Sequence, residues 1–91
     1  MTHAIILIEA ERGAMSMLGG QIADLDGVAE CYSVTGVWDF VAIVRVRGHD
    51  QLAGVVQEGI AGLSGVVRTQ TMVAFEAFSQ HDLEAMFAIG G

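Results

Sequence analysis

Residues 28–47 read VAECYSVTGVWDFVAIVRVR, and this stretch decides the fold. Residues 28–35 alternate their side chains with the two-residue period of a half-exposed strand. In the following segment, residues 38–47, the run at 40–44 is apolar on both faces, which is typical of a strand covered on each side. Only residues 36 and 37 separate the two segments, so we predict an antiparallel hairpin.

The residues before this hairpin predict a strand and a helix. Residues 4–8 (AIILI) are apolar on both faces, which indicates another strand covered on each side. From Arg12 onward, apolar residues recur every three or four positions, as on one side of an amphipathic helix: Met15, Leu18, Ile22 and Leu25. Gly19 and Gly20 weaken this helix by up to about 1 kcal/mol each, which suggests a close packing contact at the glycines.

Three further elements are predicted after the hairpin. Asp50 is a favourable N-cap for a second helix, whose apolar stripe is Leu52, Val55, Val56, Ile60 and Leu63. Ser64 and Gly65 end that helix, and residues 66–78 then predict a long fourth strand. Ser79 followed by Asp82 resembles a capping box, so we expect a short C-terminal helix at about residues 80–88.

The order of elements, β-α-β-β-α-β, predicts an α+β, ferredoxin-like fold. Right-handed crossovers place the first and third strands in the middle of a four-stranded antiparallel sheet, with both helices on one face. These are also the two most apolar strands, which supports the assignment. We expect one domain over residues 1–91, with its core at about 4–78. The sheet face opposite the helices is apolar, so a second copy is expected to cover it in a homodimer.

Composition limits the classes of function. Of the 91 residues, 53% are apolar and 16% are charged, and the mean hydropathy is +0.54. A chain of this length buries only about 60 to 65% of its unfolded surface when it folds alone, so other subunits should cover part of the apolar surface. The net charge is −7 and the four arginines form no run, which argues against direct contact with nucleic acid.

Membrane insertion, secretion and metal binding are not expected. The longest apolar runs have five residues, whereas a membrane helix needs about 20. No basic and apolar leader precedes Glu9 and Glu11, so we predict a cytoplasmic protein. Cys31 is the only cysteine and the three histidines are widely separated, so no disulfide, metal site or cofactor is predicted.

Two motifs together resemble a known family. Residues 32–40 (YSVTGVWDF) are similar to the hairpin Tyr-x-Val-Thr-Gly-x-aromatic-Asp of the Lrp/AsnC regulators, in the effector-binding domain also called the RAM domain. Residues 65–71 (GVVRTQT) match the Gly-Val-x-x-Thr-x-Thr segment that opens strand four in that family. The resemblance covers about residues 4–78, with the motifs in the same order and at the same spacings.

The resemblance implies an assembly and a ligand. Full-length members carry an N-terminal helix-turn-helix domain, whereas this sequence begins three residues before its first strand, so it resembles the stand-alone form of the domain. The resemblance implies dimers that pack sheet to sheet in a dimeric α/β-barrel-like assembly, and rings of dimers such as octamers or decamers. It also implies a small ligand, usually an amino acid, at the contacts between dimers.

The candidate ligand-binding residues lie in the two motifs: Thr35, Gly36, Val37, Trp38, Asp39, Thr69 and Thr71. Asp39 is suited to an ammonium group, and threonine hydroxyls with free backbone amides are suited to a carboxylate. Each position also has a structural interpretation. Gly36 supplies a positive φ, the threonines are favoured in strands because they are β-branched, and packing is the better expectation for Trp38.

Three functions remain open at this point. The first is a non-enzymatic, ligand-sensing oligomer that acts in metabolic or transcriptional regulation without binding DNA itself. The second is a dimeric α/β-barrel enzyme with a substrate pocket between sheet and helices. Such an enzyme needs a titratable group on the inner face, and the apolar stripes offer none, so no catalytic residue is assigned. The third is a structural partner that joins full-length Lrp/AsnC regulators through a shared dimer surface.

Overall fold

The computed structural model describes residues 1–78, and the helix expected at about 80–88 lies outside the described residues. The chain forms a four-stranded sheet and two helical segments on one of its faces. The strands are β1 (Thr2–Ala10), β2 (Val28–Ser33), β3 (Phe40–Val46) and β4 (Val66–Ala74). Helix α1 (Met15–Ala23) follows a 3-10 turn at Arg12–Ala14, and α2 (His49–Ala53) continues as a π-helical segment at Gly54–Ile60.

The sheet has the order β2-β3-β1-β4, and all neighbouring strands are antiparallel. This confirms that the two most apolar strands are central. In β1 and β3, alternate side chains face the helices, and the side chains between them face the opposite side. The core therefore lies between sheet and helices, and its buried residues are Ala4, Ile6, Ile8, Leu18, Ile22, Phe40, Ala42, Val44, Val46, Leu52 and Ile60.

The close contact expected at the glycines of α1 occurs at one of them. A Cβ placed on Gly19 would lie 3.2 Å from Cε1 of Phe40, so the absence of a side chain lets the helix approach the sheet. A Cβ on Gly20 would meet nothing within 4 Å. Gly19 is thus a packing residue, whereas Gly20 is exposed to solvent.

The strand ends differ from the sequence prediction around the hairpin and at β4. Strand β2 ends at Ser33 and β3 begins at Phe40, so the connecting loop spans residues 34–39 rather than two residues. Strand β4 ends at Ala74, not at residue 78. Ala74 pairs with His3, so only one residue of β1, Thr2, lies beyond the last pair of this ladder.

The start of the second helix was also predicted incorrectly. Gly48, not Asp50, is the N-cap residue, and no side chain caps the helix there. Asp50 lies in the first turn, where its carboxylate still interacts favourably with the positive end of the helix dipole. Cys31 lies on the edge strand β2 and is half-buried. Partial burial raises the pKa of its thiol.

The sheet face opposite the helices is apolar in its centre and charged towards both ends. Its centre, here called the sheet patch, consists of Ile5, Leu7, Val41, Ile43 and Met72, which share this face by register. An ion pair between Arg68 and Glu9 (3.3 Å) borders the patch at one end, and a second between Arg45 and Glu30 (3.6 Å) borders it towards the other. The prediction of an apolar face therefore holds for its middle, not for its borders.

Candidate ligand-binding site

The loop at residues 34–39, here called the hairpin loop, is fixed to the end of β1 by Asp39. The Asp39 amide donates to the Ile8 carbonyl oxygen at 2.9 Å, and the Asp39 carbonyl oxygen accepts from Val34 N–H at 3.0 Å. The carboxylate oxygen Oδ2 accepts a hydrogen bond from the Ala10 amide at 2.7 Å. Ala10 follows a bulge in the β1–β4 ladder, so this amide needs an acceptor other than a ladder carbonyl. Asp39 therefore has a structural role.

The same carboxylate keeps its negative charge available. Among residues 1–78, the ion pairs are Arg45–Glu30 and Arg68–Glu9, and neither involves Asp39. The side chain is half-buried, and its described hydrogen bond engages one of its two oxygens. A cation that approached the hairpin loop would thus meet a carboxylate group already held in position by the backbone.

Trp38 and Arg68 form the second polar feature at this end of the sheet. The guanidinium carbon of Arg68 lies 4.4 Å from the centroid of the Trp38 ring, a cation–π geometry. Glu9 holds the same guanidinium from the neighbouring strand, and the Arg68 side chain remains 57% exposed. The contact brings the hairpin loop to the start of β4.

Arg68 was missed as a candidate by sequence reasoning. It lies inside the second motif, but the threonines that follow it were preferred as ligand contacts. The positive charge of Arg68 could have indicated this role. Asp39 is the candidate partner for the ammonium group of an amino acid, and an arginine is suited to bind the carboxylate of the same ligand. Its stacking on Trp38 joins residues 30 positions apart, and no local pattern reports such a contact.

The tip of the hairpin loop points away from the domain. Thr35, Gly36 and Val37 are exposed, and Val37 retains 77% of its accessible surface. Gly36 has φ of +105°, so its structural interpretation, a conformation reserved for glycine, is correct. Within residues 1–78, the amides of residues 35–38 make no backbone hydrogen bond, which leaves them available to an acceptor from outside.

The two threonines of β4 lie at different distances from this loop. Thr69 pairs with Ile8 in the sheet. The carbonyl oxygen of Ile8 accepts the hydrogen bond from the Asp39 amide, so Thr69 lies level with the base of the hairpin loop. Thr71 pairs with Ile6, one step further into the sheet. It lines a cleft of about 250 Å³ beside α2, together with His49, Leu52, Ala53, Val56 and Gln57. The structure thus groups Thr69 with the hairpin loop and places Thr71 beside α2.

Comparison with known proteins identifies the family. The family model of the Lrp/AsnC ligand binding domain matches residues 3–83. The chain belongs to the Lrp/AsnC family. An uncharacterised helix-turn-helix-type transcriptional regulator of Pyrococcus abyssi is 29% identical over 82 residues, which are 87% of this chain and 55% of the relative. The chain spans between 37% and 55% of the length of the curated relatives it matches.

Solved structures of other proteins share this fold. The crystal structure of TTHA0845 from Thermus thermophilus is 45% identical, with a TM-score of 0.83, and the match covers 88% of this chain and all of that one. A Neisseria meningitidis transcriptional regulator in complex with L-Met shares the fold at 15% identity and a TM-score of 0.78. That match covers 87% of this chain and 53% of the regulator.

Two absences within residues 1–78 bear on membranes and metals. No helix there combines the length and the apolar character that crossing a membrane requires. Among residues 1–78, no three side chains of His, Cys, Asp or Glu come close enough together to hold a metal ion.

Proposed function

We propose that this Lrp/AsnC domain binds a small amino acid at a seam between copies and acts as a ligand-sensing oligomerisation domain in transcriptional regulation, without binding DNA itself. The observation that carries the proposal is the hairpin loop, which Asp39 holds rigidly while its tip stays exposed. The L-Met complex of the Neisseria regulator supports the class of ligand. The seven proposed contact residues are Thr35, Gly36, Val37, Trp38, Asp39, Thr69 and Thr71.

The chemistry of the loop is complementary to a zwitterion. The Asp39 carboxylate would accept charge-assisted hydrogen bonds from the ligand's ammonium group through its second oxygen. The carboxylate of the ligand would accept from the loop amides, from a threonine hydroxyl, or from the guanidinium of Arg68. The ring of Trp38 stacks against that guanidinium and helps to hold it in place. One end of the sheet therefore offers a negative group for the ammonium of an amino acid and hydrogen-bond donors for its carboxylate.

A second copy would complete this site. The loop tip is open to water, and water weakens the attraction between charges many-fold relative to an enclosed pocket. Another hairpin loop packed against Val37 would close the site and bury an apolar side chain that is 77% exposed in one copy. We propose homodimers formed through the sheet patch, and rings of these dimers, octamers or decamers, in which the hairpin loops meet.

Catalysis is not part of the proposed function. The layer between the sheet and the helices, where a dimeric α/β-barrel enzyme would hold its substrate, is made of apolar core side chains, and no polar or charged residue is buried there within residues 1–78. The sheet patch instead favours a second regulatory role. Because it faces away from the helices, it would also fit the same surface of a full-length Lrp/AsnC regulator, and mixed dimers would dilute the DNA binding of that regulator.

Two substitutions of Asp39 separate its ligand role from its structural role. Asparagine keeps an oxygen for the Ala10 amide and loses the charge, whereas alanine loses both. In a thermal-shift screen against the amino acids, a ligand at a hundredfold excess over its dissociation constant should stabilise the wild type by about 2.7 kcal/mol per site. We expect Asp39→Asn to melt near the ligand-free wild type and to show no ligand shift.

The alanine variant is the matched control for the loop itself. We expect Asp39→Ala to lower the free energy of unfolding by about 1.5 to 3 kcal/mol, because the Ala10 amide loses its charged acceptor. A ligand shift in Asp39→Asn equal to that of the wild type would show that Asp39 only fixes the loop. If no amino acid shifts the wild type, the mixed-assembly role becomes the better proposal.

Duplex DNA should not bind to the chain. Its net charge of −7 repels phosphates, and the four arginines are distributed over both ends of the sheet and the loop after β1. Fluorescence anisotropy with labelled duplex DNA at low salt should show no saturation at micromolar protein. Saturable binding under these conditions would contradict the proposal that any regulation acts through partners.

A further inference from the structure

The helical layer leaves part of β4 uncovered on the side of the sheet that faces the helices. The β1 side chains on that side are fully buried, and they are Ala4, Ile6 and Ile8. Their partners on β4 are Val73, Thr71 and Thr69. Val73 keeps 42% of its accessible surface and Thr71 is exposed, although register places both on the helix side. Within residues 1–78, the helices therefore do not cover residues 71–73 of β4.

The cleft of about 250 Å³ beside α2 follows this uncovered part of β4, and we call it the β4 groove. Thr71 lines it from the sheet. The residues that line it from α2 and the following helical segment are His49, Leu52, Ala53, Val56 and Gln57. Leu52 is buried and Val56 is half-buried, so the helical wall of the groove is apolar where it meets the core.

The groove lies at the end of the sheet where the chain leaves β4. Strand β4 ends at Ala74, which pairs with His3. Strand β3 ends at Val46, which pairs with Thr2, so both strands end at the same edge of the sheet. Helix α2 begins at His49, which lines the groove. The chain therefore leaves the sheet beside the first turn of α2.

The sequence that follows has the composition and the length to fill the groove. Residues 79–91 lie beyond the residues that the structure describes, and they carry an apolar stripe at Leu83, Met86 and Phe87. The helix expected at 80–88 would be about 13 Å long. Residues 69–73 of a strand span about the same distance. The match to the family model extends to residue 83, so it includes the first part of this segment.

We propose that residues 79–91 bind in the β4 groove of their own chain, with the apolar stripe against α2 and Val73. Residues 75–78 connect the end of β4 to this segment, and they span at most about 14 Å. Such a short tether gives the segment a high effective concentration at the groove beside it, which a segment from another molecule does not have. The segment's own chain is therefore the favoured host.

Charge also favours the β4 groove over the larger cavity of the domain. The segment carries Asp82 and Glu84. None of the six residues that line the groove has a carboxylate, whereas the cavity of about 440 Å³ on the other side of α2 has Asp26 and Glu58 among its lining residues. Thr71 would contact the segment, and the proposed ligand site would keep its residues at the hairpin loop.

Access of a thiol reagent to Val73 tests whether the groove is covered. The probe is the full chain with Cys31→Ser and Val73→Cys, labelled by a maleimide. Adding Leu83→Ser and Phe87→Ser removes most of the apolar stripe and should raise the labelling rate by about tenfold or more, because one large apolar side chain supplies at least this factor in a docking equilibrium. An unchanged labelling rate would overturn the proposal.

The matched control places serine at the same spacing on the opposite side of the expected helix. His81→Ser with Ala85→Ser should leave the labelling rate of the probe unchanged, because these positions lie away from Leu83 and Phe87 on a helix. A control that raises the rate as much as the loss of the stripe would also contradict docking through the stripe.

The wall of the groove is tested from the side of α2. Ala53→Glu places a carboxylate on the wall and should raise the labelling rate of Val73→Cys as the loss of the stripe does. Ser16→Glu is the control, since it adds the same charge on α1, outside the groove. Both positions are exposed, so neither change should unfold the domain. An unchanged rate in Ala53→Glu would overturn the assignment of the groove.

A monomeric variant distinguishes the segment's own chain from a second copy. Leu7 lies in the sheet patch, so Leu7→Asp should separate the copies without touching the groove. We expect the slow labelling of Val73→Cys to persist in Leu7→Asp at a concentration at which light scattering gives the mass of one chain. Fast labelling of this monomer, with slow labelling of the assembled protein, would show that another copy supplies the segment and would overturn the proposal.

Discussion

Replacing Leu7 by aspartate is expected to convert the assembly into monomers of 9.6 kDa. Leu7 lies in the middle of the sheet patch, where its register partners are Val41 on β3 and Gln70 on β4. A carboxylate buried there by a second sheet would lack a partner of its own, because Arg68 at the border of the patch is held by Glu9, and such an unpaired charge costs about 3 to 5 kcal/mol. Each 1.4 kcal/mol is a factor of about ten in a dissociation constant, so association should fall by more than a hundredfold.

The fold of one copy should survive this change. Leu7 is only half-buried in the single domain, because nothing in residues 1–78 covers that face completely. Gln57→Glu is the control, since it adds the same charge at an exposed position of the helical layer. Light scattering at micromolar concentration should give at least a dimer for the wild type and the control. A wild-type mass of one chain, or a Leu7→Asp protein that remains a dimer, would contradict the proposed assembly.

Replacing Gly65 by alanine is expected to cost more stability than the same change at Gly36 or Gly13. Gly65 has φ of +96°, and a Cβ built on it would lie 2.3 Å from Cβ of Ala14. Its carbonyl oxygen accepts from the Glu11 amide at 2.8 Å, so the turn before β4 is tied to the loop after β1 and has little room to move. Strained backbone costs about 1 to 3 kcal/mol, and overpacking adds about as much again.

Two other glycines separate strain from overlap. Gly36 also has a positive φ, of +105°, but a Cβ there meets nothing within 4 Å, so Gly36→Ala should cost only the strain. Gly13→Ala should cost neither. Since 1 kcal/mol shifts the melting temperature of a small domain by about 4 to 8 °C, the melting temperature should fall in the order Gly13, Gly36, Gly65 across the three variants. Equal melting of the Gly65 and Gly36 variants would show that the contact with Ala14 relaxes without cost.

The fold was largely predictable because local patterns and topology agree. An apolar pattern on both faces is typical of a strand in the middle of a sheet. The βαββαβ order with right-handed crossovers places the same two strands, β1 and β3, in the centre. Strand ends were less predictable, since they depend on the partner. Residues 66–78 suit a strand throughout, but β4 ends at Ala74, whose partner His3 has only Thr2 before it in β1. The π-helical turn at Gly54–Ile60 had no recognised signal in the apolar stripe.

The candidate site remains a prediction from its two motifs, and the contacts within it could not be predicted. The hairpin and strand-four motifs identified Asp39 and the segment around Thr69, and the sheet places both at one end. The hydrogen bond from the Ala10 amide to Asp39 spans 29 residues, and the contact of Trp38 with Arg68 spans 30. Contacts at such separation follow from strand register, which a period of two residues does not define.

Binding of an amino acid between copies is tested most directly by titration calorimetry with wild-type and Leu7→Asp protein. The wild type should bind at least one amino acid to saturation. The monomeric variant should bind it at least about tenfold more weakly, because Asp39 and Arg68 remain but the wall supplied by a second copy is lost. No binding of any amino acid to the wild type, or equal affinity of the two proteins, would contradict a ligand site at the seam.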